Sequence, residues 1–146
     1  MAKRVEDKLL DELKKDARKS YRDIAKTLGL AVGTVSKKVK ELEEQGIIKG
    51  YSPVIDLEKL GFGLTAIIGI KIRKGLSDPV ARKLGVNPLV LAVYDVTGDF
   101  DLIALAKFKS KQELSQFLKT INSLQEVERT TTFMSLNNFK ENYVQK

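Results

Sequence analysis

Two helical stripes separated by about three residues constrain this chain most. In the stretch IAKTLGLAVGTVSKKVKELEEQG (24–46), Ile24, Ala25 and Leu28 share one side of a helix, and Val35, Val39 and Leu42 form the stripe of the next. Apolar residues recurring three and four apart mark amphipathic helices. Gly29 and Gly46 end them, because glycine accepts the left-handed backbone that closes a helix. Ser20, with Asp23 three residues on, is a capping-box start for the first of the two. Upstream, Val5, Leu9, Leu10 and Leu13 keep helical spacing over roughly residues 4–15. Three short helices, the last two joined by a tight glycine-containing turn, form a helix-turn-helix.

The third helix has a distinctive outer side. At about 100° per residue, the side opposite its apolar stripe is centred on Gly33, Ser36, Lys37 and Lys40, with Thr34 at the margin. Val32 to Lys40 holds three lysines and no acid; Glu41, Glu43 and Glu44 come only afterwards. A helix that is small, polar and basic in its first turns fits a major groove, reaching base edges and neutralising phosphates. The expected DNA contacts are Ser20, Tyr21, Arg22, Gly33, Thr34, Ser36, Lys37, Lys38 and Lys40. Two plainer readings stand beside this one: a solvated helix with ordinary surface lysines, and a helix-turn-helix used for protein contacts. The net charge of +7 favours a polyanionic partner. The excess is spread evenly, 13 basic and 9 acidic residues in 1–50 against 13 and 10 in 51–146, so local placement decides.

The absences narrow the chemistry further. The chain has no cysteine and no histidine. Disulfides, thiolate nucleophiles, Ser-His-Asp catalysis and imidazole or thiolate metal ligation are therefore excluded. An enzyme would have to work with Asp, Glu, Lys, Tyr or Arg alone, so the expectation is no catalysis, no metal and no cofactor. No apolar run approaches the roughly 18 residues that span a bilayer, and no signal peptide is visible. The expected location is the cytoplasm, with no membrane partner.

After Gly46, IIKGYSPVID reads as a short strand and linker, giving a helix-turn-helix domain over 1–50, a linker strand over 51–62 and a second domain over 63–146. LTAIIGIKIR (64–73) is a strand; Asp78-Pro79 opens a short helix, with Pro79 at its first position and Gly85 past its end. LVLAVYDV (89–96) and DLIALAKF (101–108) are strands joined by a hairpin turn over 97–100. Ser110 and Glu113 cap a helix bearing Leu114, Phe117, Leu118 and Ile121, and VERTTTFMSL (127–136) is the last strand. The order β-α-β-β-α-β is ferredoxin-like, an antiparallel sheet with both helices on one face, so the fold class is α+β. Yet the strands are apolar on both faces. The uncovered face, assigned Ile67, Leu91, Val93, Ile103 and Leu105, calls for a second copy packed sheet to sheet, a two-fold homodimer.

The turn VTGDFD (96–101) flanks a phenylalanine with two aspartates, Asp99 and Asp101. Paired carboxylates suit acid/base hydrolysis only when they face each other across a substrate. A magnesium site would want phosphates and a loop to cradle them, and neither is evident. Gly98-Asp99 is ordinary turn chemistry, and Asp101 is suited to capping backbone amides. A pocket for a ligand with an amino group is the competing reading.

A helix-turn-helix followed by GIIKGY, then a β-α-β-β-α-β domain with TGDFD in its central hairpin, resembles the Lrp/AsnC, or feast/famine, family of transcriptional regulators. The most specific pieces are IAKTLGLAVGTVSKKVKELEEQGIIKGY (24–51) and VYDVTGDFDLIAL (93–105), and the resemblance spans essentially the whole chain. It implies dimers that assemble further, often to octamers, on double-stranded DNA near regulated promoters. It also implies a small effector, usually an amino acid, bound between regulatory domains of neighbouring subunits. The corresponding residues are Thr97, Gly98, Asp99, Phe100 and Asp101, with Thr130, Thr131 and Thr132 as neighbours on the last strand. Gly98 would let a ligand approach the backbone, its amide and that of Asp99 would receive a carboxylate, and an aspartate would hold an ammonium. This chain departs from the family in three places: Ala31 stands where Ser or Thr caps the recognition helix, Lys38 where arginine is common, and the segment 74–88 is short. The function expected is a sequence-specific DNA-binding regulator modulated by a small effector. The alternative is an architectural DNA-binding protein with no effector, and an enzyme fused to a DNA-binding domain is a distant third.

Overall fold

Ser20 caps its helix as the spacing predicts: its Oγ accepts the Asp23 N–H at 3.1 Å and its hydroxyl donates to the Asp23 carboxylate. The computed structural model describes residues 4–73, 75 and 77–141. They divide into one unit of residues 4–54 with 140–141 and a second of residues 55–139.

The first unit contains α1 (Val5–Lys15), α2 (Tyr21–Leu28) and α3 (Val32–Glu44). Gly29 closes α2 with a φ of 66°, and its N–H bonds the Ala25 carbonyl. Leu9, Leu13, Ile24, Ala25, Val35, Val39 and Leu42 form one buried cluster, with Leu10, Leu28 and Ile48 packed around it. Val5, expected in that stripe, is instead 38% exposed in the first turn of α1. Burying each large aliphatic side chain contributes about 1.5–3 kcal/mol, so the stripes hold the three helices together. At the α1–α2 corner the buried Glu12 accepts from Lys15 at 2.6 Å and Lys19 at 2.5 Å, and Lys19 also donates to Thr27 on α2. These hydrogen bonds, Lys15 first and then Lys19, hold the Glu12 carboxyl below its ordinary pKa against the effect of burial.

No strand forms in the segment expected to supply one: 47–56 runs without a ladder partner and 57–61 makes a turn. Pro53 lacks an N–H, and Val54 and Ile55 stand 78% and 53% exposed. The division between units falls inside the expected linker, between Val54 and Ile55.

The second unit contains β1 (Leu64–Ile72), α4 (Ser77–Gly85), β2 (Val90–Asp95), β3 (Leu102–Phe108), α5 (Lys111–Asn122) and β4 (Val127–Met134). The four strands are antiparallel in the order β2-β3-β1-β4, the ferredoxin-like arrangement. α4 begins two residues before Pro79 and includes Gly85; proline is tolerated there because first-turn N–H groups have no partner within the helix. The core lies between the sheet and the two helices: Ala66, Ile68, Ile70, Leu102, Ala104, Ala106 and Phe108 meet Val80, Leu84, Phe117 and Ile121.

The other face is apolar and open, as expected, but its membership differs in β2. The pairing shifts between Val90 and Ala92, so Val90 faces Ala106 while Ala92 faces Leu105. Leu91 is the extra residue of a bulge, and beyond a bulge every side chain changes face. Val93 therefore pairs with Ala104 and packs into the core, correcting its assignment to the uncovered face. Tyr94, 61% exposed, takes that place opposite Ile103.

Candidate functional site

The outer side of α3 matches the expected arrangement closely. Gly33, Thr34, Ser36, Lys37 and Lys40 are all exposed, while Val35, Val39 and Leu42 are buried. Lys37 has no ion-pair partner among the described residues, and Lys40 has a loose one in Glu44 at 3.7 Å. Lys38 is placed differently. It points back toward α1, donating to Glu6 at 2.8 Å and lying 3.2 Å from Glu41. Those two carboxylates, Glu6 first, raise the Lys38 pKa. The N-cap of α3 is Ala31, with no side-chain cap, so the N–H groups of the first turn lack the usual side-chain acceptor.

Ser20, Tyr21 and Arg22 lie at the start of α2. Ser20 spends its oxygen on the cap, whereas Tyr21 and Arg22 are exposed. Sequence reasoning missed one link nearby. Tyr51 donates to Glu43 at 2.9 Å, and its phenol is pushed up to about 12, first by desolvation and then by Glu43. This bond ties the segment after α3 to the end of the helix. The visible signal was the tyrosine closing GIIKGY.

The hairpin between β2 and β3 assigns its two aspartates different surroundings. Asp99 is exposed at the tip beside Gly98, whose φ of 119° suits glycine. Asp101 is engaged with the sheet. Its Oδ2 accepts the Ile72 N–H at 2.7 Å and lies 3.3 Å from Lys71 Nζ. Its own N–H donates to the Ile70 carbonyl at 3.0 Å. The Ile72 amide, then Lys71, hold the Asp101 carboxyl below its usual range although partial burial opposes them. Asp101 thus continues the β1–β3 ladder with its side chain, beside the irregularity at Lys71 and Ile72.

Phe100 lies over Gly69 on the open face. A Cβ on Gly69 would come within 2.7 Å of the ring, so only glycine admits it. Phe133 meets Phe100 edge to face at 6.4 Å, and the Arg129 guanidinium sits 5.6 Å from the ring centroid. An isolated strand glycine is the signal for such a close approach.

The three threonines do not act as a group. Thr131 pairs with Gly69 and shares its face with Phe100. Thr130 and Thr132 pair with the core residues Ile70 and Ile68 and face the helices, and Thr130 donates to Asn122 at 3.1 Å. Thr97 is exposed at the turn. The hairpin thus brings Phe100 against Gly69, Arg129 and Phe133, on the face that Thr131 shares, with Gly98 and Asp99 exposed beside it in the turn, and leaves Thr130 and Thr132 on the other side of the sheet.

A cleft of about 760 Å3 lies elsewhere, between α4 and α5, and none of the expected residues lines it. Several of its polar groups are already engaged within the fold. Asn87 accepts the Leu89 N–H; Ser110 accepts the Glu113 N–H while the Glu113 carboxylate accepts the Lys109 N–H; and Thr120 and Ser123 donate to carbonyls of their own helix. It is an inter-helix groove over Phe117 and Ile121, and the hairpin is the better site. Among the described residues no group of three metal-ligating side chains occurs and no helix is long and apolar enough to cross a membrane.

A family model described as the Lrp/AsnC ligand binding domain matches residues 65–145, and one described as winged helix-turn-helix DNA-binding matches residues 7–49. An uncharacterised HTH-type transcriptional regulator of Pyrococcus furiosus is 42% identical over 139 residues, covering 95% of this chain and 94% of its own. The solved structure of E. coli AsnC superimposes with a TM-score of 0.87 at 25% identity over 97% of both chains. A Neisseria meningitidis transcriptional regulator, solved as a complex with L-Met, shares the fold with a TM-score of 0.89 at 24% identity, covering 100% of this chain and 97% of its own.

Proposed function

The chain belongs to the Lrp/AsnC family, as a DNA-binding transcriptional regulator with a ligand-binding domain, and we propose that it reads double-stranded DNA through Ser36, Lys37 and Lys40 and answers to an amino acid at its β2–β3 hairpin. The observation that carries the first part is the outer side of α3: small, basic, exposed and free of acid up to Lys40. Gly33 and Thr34 complete that side, and the exposed Tyr21 and Arg22 at the start of α2 meet phosphates. Lys38 is held by Glu6 and Glu41 and contributes mainly to packing α3 on α1.

The effector reading rests on the exposed Gly98 and Asp99, the ring of Phe100 and the neighbouring Thr131. An amino acid presents both a carboxylate and an ammonium, and this loop has a glycine for close approach and an aspartate for the cation. The protein works as a homodimer joined through the open sheet face and assembles further, to octamers, with the effector between dimers. It acts in the cytoplasm and catalyses nothing. A second reading has its own support: Asp101 already serves the sheet, which suits a hairpin that binds no effector in an architectural DNA-binding protein.

The test is a footprint on the DNA upstream of the protein's own gene, with and without each amino acid. Discrete protected sites whose affinity changes with one amino acid are expected. Discrete sites unaffected by all of them would remove the effector, and uniform coverage would leave the architectural reading.

A further inference from the structure

A cation near the hairpin has no assigned task. Lys71 and Arg129 are opposite each other in the β1–β4 register, and like charges so placed repel. Lys71 is neutralised by Asp101 at 3.3 Å. Arg129 is not: it is exposed, and no carboxylate among the described residues lies within ion-pair distance of it. It is nonetheless located, because its guanidinium sits 5.6 Å from the centroid of the Phe100 ring, which Gly69 receives and Phe133 flanks. Stacking on a ring restricts the guanidinium and leaves its N–H edge available. The result is an unneutralised fork of donors at the root of the loop that carries Asp99.

We propose that Arg129 receives the α-carboxylate of the effector, with Asp99 rather than Asp101 taking its ammonium. This deepens the effector reading above and rests on it. Guanidinium groups bind carboxylates through paired, charge-assisted hydrogen bonds, and binding a carboxylate would also relieve the repulsion between Arg129 and Lys71. Asp101 is a positioning residue: its oxygens are committed to Ile72 and Lys71, and it acts by fixing where Phe100, and through it Arg129, stands. The ligand class that follows is a free α-amino acid. An amine lacking the carboxylate, or an ester that masks its charge, binds more weakly.

The full-length protein is titrated with the twenty L-amino acids and their methyl esters, reading the melting shift and then the dissociation constant of whichever acid shifts it. In the wild type the acid should bind roughly tenfold or more tightly than its ester. Arg129→Gln should weaken the acid by roughly tenfold or more, the size of one charge-assisted pair, and so erase the preference over the ester. Arg129→Lys should restore part of that preference, and Asp99→Asn should weaken both acid and ester. Arg129 and Asp99 are exposed, so the variants should keep the fold without ligand. An Arg129→Gln protein that keeps the acid-over-ester ratio overturns the assignment while leaving the effector reading standing. A wild type that none of the twenty acids shifts overturns both.

Discussion

At the scale of single residues, charge alone does not separate the lysines proposed to face DNA from the rest. Lys37, Lys38 and Lys40 are close in sequence, yet their surroundings separate them. Lys38 sits between Glu6 and Glu41, whereas Lys37 has no partner among the described residues and Lys40 only a long contact to Glu44. Each phosphate contact contributes about one unit to the slope of log affinity against log salt. Replacing both Lys37 and Lys40 with alanine should therefore weaken DNA binding and flatten that slope by roughly two units, whereas Lys38→Ala should leave it nearly unchanged. Fluorescence anisotropy across a salt series measures both. Equal slopes for the double variant and the wild type would dismiss the groove assignment. The aspartates of the hairpin carry the same lesson. That Gly98-Asp99 makes a turn is legible from two adjacent residues. That Asp101 serves the Ile72 amide, 29 positions away, is not, because the partner is set by strand register.

At the scale of elements, the helices were readable because their signals are local. A stripe, a cap and a closing glycine lie within one stretch of chain, and all three helices of the first unit formed where the pattern placed them. The strands were readable in number and order but less so in face, because a bulge belongs to a pair of strands. One extra residue at Leu91 moved Val93 into the core and Tyr94 out of it. The apolar run after Gly46 has strand composition but no partner strand among the described residues. α3 keeps one local defect. Its N-cap, Ala31, offers no oxygen to the first turn. A serine there typically adds about 1 kcal/mol to helix stability, so Ala31→Ser should raise the melting temperature of the full chain by a few degrees. Unchanged melting in differential scanning calorimetry would mean that these N–H groups already have an acceptor.

At the scale of the whole molecule, one face of the second unit is apolar and open. Ile67 is 42% exposed, Phe133 51% and Tyr94 61%, with Ile103 and Leu105 half-buried between them. A contiguous apolar sheet face of this kind marks a surface for a partner. A two-fold pairing would cover it with its own copy and present two recognition helices to half-sites about one DNA turn apart. Leu105 lies near the middle of that face, paired with Ile67 on one side and Ala92 on the other. A carboxylate there would be buried unpaired in a dimer but solvated in a monomer, so Leu105→Asp and Tyr94→Asp should dissociate the protein while keeping its far-UV circular dichroism. Val93→Asp makes the contrast, because Val93 packs into the core on the helix side, and this variant should lose the fold itself. Sedimentation velocity at micromolar concentration distinguishes the outcomes. A folded wild-type monomer would refute the dimer, and a Val93→Asp protein that stays folded but dissociates would return Val93 to the open face.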